Sequence, residues 1–158
     1  MDFAFAKSAA RLRAQSGAAM TNRDEIERIV IEAYAARREG DLDALGKIFT
    51  DNAEFRLAGS PIASPVASTA IGTQEIKRVL QEMITVFQWL DQKILSIIIE
   101  GSRAAVHWRG TIHSTATGES VETELLDIFG IENGRIASLI EFCDTALAAR
   151  LMGASSST

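Results

Sequence analysis

The order of patterns along this chain predicts an α+β fold in which helices cover one face of a curved, mixed or antiparallel sheet. Three observations carry that expectation. Apolar residues recur at helical spacing in stretches that, apart from a short piece at the end of the domain, lie before Gln88. From Lys93 to Cys143 the period switches to two, and glycine-bearing turns at Gly101, Gly118 and Gly134 cut this second half into consecutive strands.

The elements follow in order. Thr21 to Glu25 supply an N-cap and first-turn acids, after which Ile26, Ile29, Val30, Ala33 and Tyr34 form the apolar stripe of a helix that stops at Gly40. Asp41 caps a second, short helix from Leu42 to Phe49, and Ala53 to Leu57 reads as a strand. Gly59 to Gly72 holds both prolines and reads as a long loop, the kind that often serves as a lid or binding loop. Thr73 is the expected cap of a third helix, Gln74 to about Phe87, with Ile76, Val79, Leu80, Met83 and Val86 or Phe87 inward and Trp89 and Leu90 packed at its end. Lys93 to Glu100 is a β-branched strand suited to a sheet covered on one side and paired or dimerised on the other. In Arg103 to Ser114 the even positions Val106, Trp108, Gly110 and Ile112 form the apolar face, with His107, Arg109 and His113 on the polar one. Gly110 is expected to mark a bulge or a close approach of a ligand to backbone. A last helical piece runs from Thr145.

At 158 residues the chain is one domain, long enough to bury a core without disulfides or metals, and its single cysteine forbids an internal disulfide. Cys143 reads as a small hydrophobe rather than a nucleophile. A net charge of −5 and a pI near 5.1 argue against nucleic acid as a partner. No apolar run reaches bilayer length, so a cytoplasmic protein without membrane contact is expected. Residues 1–20 read as an N-terminal extension, with Met20 a candidate natural start, 21–150 as the domain and 151–158 as a disordered tail. Two histidines six apart on a strand make no metal set, and there is no Gly-rich phosphate loop or G-x-S-x-G elbow; no metal or cofactor is expected.

The chemistry is sought in Glu119 to Thr145, which reads as two long strands joined by a tight turn. From Val121 the odd positions Leu125, Asp127, Phe129 and Ile131 share a face, so one carboxylate points where its neighbours say a core should be. On the return strand Leu139, Glu141 and Cys143 alternate against Ile136, Ser138, Ile140 and Phe142, and Glu141 is a second acid among apolar residues. A three-residue loop, Glu132 to Gly134, would set Asp127 opposite Leu139 with Glu141 diagonal to it on the same face, roughly 7–8 Å away. A two-residue Asn-Gly loop would send Glu141 to the other face. The former is favoured, because only it groups Asp127 with Leu139.

The stretches GDLDALGKIFTDNAEF (Gly40 to Phe55), AIGTQEIKRVL (Ala70 to Leu80), IFGIENGRI (Ile128 to Ile136) and EFCDTA (Glu141 to Ala146), in that order after Tyr34, resemble the SnoaL-like branch of the nuclear transport factor two superfamily. This cystatin-like, cone-shaped fold is shared by ketosteroid isomerase, scytalone dehydratase, limonene epoxide hydrolase and polyketide cyclases. The resemblance implies a sheet wrapped round about three N-terminal helices, an apolar pocket at the open end, and a homodimer formed through the sheet. It makes Asp127 similar to the isomerase's oxyanion-hole acid, a carboxyl kept neutral by apolar surroundings. The isomerase's base falls at Leu57 and its tyrosine near Ala33, so that catalytic set is incomplete. Glu141 matches the water-activating acid of the epoxide hydrolases, whose Arg-x-Asp has no counterpart in Trp108 to Thr111.

Two acids in one apolar pocket would hold different protonation states, which suits proton transfer on an enolisable ketone or water activation. The expected catalytic residues are Asp127, Glu141 and Tyr34, and the expected ligand pocket is Leu57, Val106, Trp108, Gly110, Ile112, Leu125, Phe129, Leu139 and Cys143. The expected ligand is a small apolar molecule, and the reaction an isomerisation, dehydration, cyclisation or epoxide hydration without cofactor. The plainer alternatives are a non-catalytic binding module, or a dimeric structural domain whose pocket is filled by side chains; for Asp127 itself the plainer reading is a buried polar group satisfied by a hydroxyl or backbone group.

Overall fold

A computed structural model describes residues 22–153. The extension expected over 1–20, and residues 154–158 of the expected tail, lie outside the described residues. Four helices and seven strands follow one another as α1 (Asn22–Glu39), α2 (Leu42–Ile48), β1 (Phe49–Leu57), β2 (Ser68–Ile71), α3 (Thr73–Val86), β3 (Phe87–Trp89), β4 (Lys93–Glu100), β5 (Arg103–Ser114), β6 (Ser120–Glu132), β7 (Arg135–Phe142) and α4 (Thr145–Leu151). The strands form one mixed sheet, ordered β2-β1-β7-β6-β5-β3, with β4 also paired to β5. Only β1 and β7 run parallel. The sheet curls strongly into a half-barrel around the helices, the cone expected of an α+β chain with this element order. No helix of the described residues is long and apolar enough to cross a membrane.

Several local readings change. Ser68 to Ile71 do not belong to a loop but pair antiparallel with Glu54 to Leu57, so the irregular stretch shortens and begins after β1. The Pro- and Ser-rich composition concealed a four-residue edge strand. Phe49 opens β1 instead of closing α2. The N-cap of α3 is Gly72 without a side-chain cap, and Thr73 instead donates its hydroxyl to the Thr50 carbonyl. Phe87 to Trp89 pair with the end of β5 as a short strand, while Leu90 is mostly exposed.

The β6–β7 hairpin turns on two residues, not three. Glu132 pairs with Arg135, and Asn133 and Gly134 both take positive φ, 49° and 74°. That is the geometry of a type I′ turn, whose twist matches the flanking strands. On its own this register would have turned Glu141 to the outer face. A bulge corrects it: Ile131 pairs with Ile136, but Gly130 pairs with Ser138, so Ala137 is an extra residue on β7. Beyond it Phe129 faces Leu139 and Asp127 faces Glu141 directly, and Ile136, Leu139 and Glu141 are all buried. The expected pairing of Asp127 with Leu139 is therefore replaced by acid opposite acid.

Candidate functional site

The inner end of the cone is closed by aromatic rings. Helix α1 carries Ile26, Ile29, Val30, Ala33 and Tyr34 inward, and Tyr34 packs against Trp108 of β5 and Phe129 of β6 at centroid separations of 5.6 and 5.8 Å. Trp108 in turn meets Trp89 at 4.4 Å. Asp127 sits among these rings with no exposed surface. Its Oδ2 accepts hydrogen bonds from the Tyr34 hydroxyl at 2.6 Å and from the Trp108 indole N–H at 2.8 Å, while Oδ1 has no protein partner. Burial, and then the neighbouring Glu141 charge, push its pKa up to about 8 against the opposing pull of these two donors and Arg37. Tyr34 is raised above its ordinary value, chiefly by burial and by Asp127.

Glu141 is held differently. Arg37, one turn beyond Tyr34 on α1, donates from Nη1 to Oε2 and from Nη2 to Oε1 (3.2 Å) of Glu141, a two-pronged ion pair with both partners buried. The Arg37 Nε is buried without a partner. Burial alone would lower Arg37, and the Glu141 carboxylate more than offsets it. Arg37 was not among the expected site residues. The signal was present in the spacing, since Ile26, Val30, Ala33 and Arg37 continue one helical face, whereas adjacent Arg38 lies off it.

A cavity of about 260 Å³ opens beside this pair. Its wall is made by Val79, Met83 and Val86 of α3, Phe87 and Trp89 of β3, Ile112 and Leu125 of the sheet, Leu147 and Leu151 of α4, and Leu57 with Val66 from the end of β1 and the loop after it. Arg37 and Glu141 form part of the wall; Asp127 and Tyr34 do not, being sealed behind it. Helix α3 thus divides its apolar face, with Ile76 and Leu80 in the closed core and the next row on the cavity.

Of the residues expected to line a pocket, Leu57, Ile112, Leu125 and Cys143 do so. Val106, Trp108, Phe129 and Leu139 are buried in the closed core, where the Tyr34 ring packs against Trp108 and Phe129. Gly110 does mark a close approach, but to protein: a Cβ there would lie 2.6 Å from the Asp91 carbonyl and 3.1 Å from the Trp89 ring. Cys143 follows β7 on the wall, and burial, with Glu141 next, raises its thiol to about 11, far from a thiolate at neutral pH. His107 pairs with Glu124 and His113 with Ser120 on the polar outer face.

A family model described as a SnoaL-like domain matches residues 30–139. Among solved structures, a Bacillus subtilis protein named provisionally as an isomerase is 14% identical over 86% of this chain and 98% of its own, with a TM-score of 0.76. An M. tuberculosis epoxide hydrolase of the limonene type is 17% identical over 81% and 84%, with a TM-score of 0.64. A Catenulispora acidiphila protein with a ketosteroid isomerase-like fold, solved with trimethylamine, is 13% identical over 80% and 93%, at 0.67. At these identities the likeness is one of fold. No curated protein matches the chain.

Proposed function

We propose, from the premise that this chain belongs to the SnoaL-like domain family, that it binds a small, mostly apolar molecule in the cavity between α3, α4 and the sheet, and transforms it by acid/base chemistry without a cofactor. The observation that carries this reading is the pairing of Asp127 with Glu141 across β6 and β7, one acid with its pKa pushed up to about 8 by burial and the other in a buried ion pair with Arg37. Glu141 is the group that meets the ligand. In an isomerisation its carboxylate takes a proton from carbon, an Arg37 N–H faces the oxygen on which charge develops, and the protonated Glu141 returns the proton to a second carbon. Asp127 is a positioning residue and proton store: with Oδ2 already accepting from Tyr34 and Trp108, its own proton belongs on the unpartnered Oδ1. Tyr34 orients Asp127.

The test is turnover of ketones and epoxides of up to about a dozen heavy atoms, a size set by a cavity at the lower edge of the usual ligand-site range. Glu141→Gln should lower kcat/KM by about 10²–10⁴-fold with binding largely retained. One observation favours a second reading, a binding module without catalysis: the two-pronged Arg37 clasp already engages both oxygens of Glu141. Retained ligand affinity with no turnover of any member of the panel would select it.

A second copy of the chain is proposed to cover the outer face of the sheet. Paired positions Ile98, Ala105, Ile128 and Ile140 form one row across four strands, and in the next row Leu126 and Phe142 follow beside His107. Ile98, Leu126 and Phe142 are 67%, 38% and 43% exposed, an apolar strip of the kind that marks an interface.

A further inference from the structure

The charges on the cavity wall are already matched to one another, and that limits what can enter. Two guanidinium groups, Arg37 and Arg78, and three carboxylates, Glu82, Glu141 and Asp144, contribute to the wall. Arg37 is clasped by Glu141. Arg78 is bound by Glu75 and by Glu82. Asp144 accepts from the Leu147 N–H as the N-cap of α4. Both cations on the wall already face carboxylates, and the sum over the wall is negative. At its buried end a carboxylate with spare lone pairs stands beside a guanidinium with spare N–H bonds, an acceptor next to a donor.

We infer that the cavity selects electrically neutral molecules that carry a hydrogen-bond donor and a separate acceptor side by side, such as carboxamides or hydroxy ketones, and rejects carboxylates of the same shape. The inference rests on the proposal that this cavity is the ligand site. A neutral carboxamide or hydroxy ketone gives its N–H or O–H to Glu141 and its carbonyl oxygen to Arg37, leaving the ion pair intact while its apolar body lies against Val79, Met83 and Leu125. A carboxylate in the same place must share Arg37 with Glu141, setting two buried negative charges on one guanidinium. An ammonium group would face Arg37 itself.

Benzamide and benzoate have nearly one shape and differ in charge, and benzylammonium supplies the opposite charge. Titration of the full chain at pH 7 with each, followed by calorimetry and by the fluorescence of Trp89 on the wall, should show benzamide binding at least tenfold more tightly than either ion. In the Glu141→Gln protein Arg37 is released, and benzoate should gain at least tenfold relative to benzamide. Saturable binding in which benzoate or benzylammonium equals benzamide would overturn the selectivity and leave the cavity as a ligand site. Absence of saturable binding by all three probes would overturn the ligand site and the selectivity with it. The wild-type ranking decides the matter even where the substituted protein does not fold.

Discussion

Replacing Arg37 by Met removes half of a buried ion pair and leaves the Glu141 carboxylate without its partner. The expected cost is about 3–5 kcal/mol, read from urea unfolding, and a simultaneous Glu141→Leu substitution should recover most of it. Tyr34→Phe leaves Asp127 Oδ2 with only the Trp108 donor and should cost about 1–3 kcal/mol. The pH dependence has a definite sign. Asp127 has its pKa raised to about 8 from an ordinary 3.8, so between these values the folded chain binds a proton that the unfolded chain has released. Stability from this group is therefore fully present below about pH 4 and is lost as pH rises through about 8. Melting temperatures measured from pH 6 to 9 should fall for the wild type, and Asp127→Asn should flatten that slope. An unchanged slope in the variant would mean that Asp127 is ionised throughout.

At the scale of elements, the hairpin that carries both acids depends on two local devices. Gly134 at φ 74° allows the two-residue turn, and a side chain there is strained in the left-handed region by about 1–2 kcal/mol, the loss expected for Gly134→Ala. The bulge at Ala137 then returns Glu141 to the inner face. Elsewhere Gly110 lets the Trp89 to Asp91 segment lie flat on β5. Gly110→Ala would bring its Cβ against the Asp91 carbonyl, cost about 1–3 kcal/mol and displace Trp89, which the tryptophan emission would report. Helix α4 is held by the Ser114 hydroxyl on the Leu151 carbonyl, by the Arg150–Glu119 pair and by the fully buried Leu151 side chain, and it contributes Leu147 and Leu151 to the cavity wall.

For the whole molecule, the second copy proposed to cover the apolar strip on the outer sheet face can be tested by mass. Sedimentation should give twice the 17.1 kDa chain mass for the wild type, and Leu126→Asp should shift it to the mass of one chain. A wild type that sediments as a single chain at every concentration would show that no second copy covers the strip.

Periodicity along the chain was enough to determine the α+β class, the helical stripe through Tyr34, the inward faces of β5 and β6 and the presence of acids among apolar residues. These are local properties, repeated every two or every 3.6 residues, and they survive without knowledge of what packs against them. The strand at Ser68–Ile71 was hidden because four residues carry too short a period to read beside two prolines. Only the tertiary structure decided that Asp127 meets Glu141, that Arg37 joins them, and that the cavity lies toward α3 and α4 instead of around Trp108. Each of these turns on one residue of register at Ala137 or on which ring fills a space, and such choices are made by contacts between distant segments that no pattern within a segment encodes.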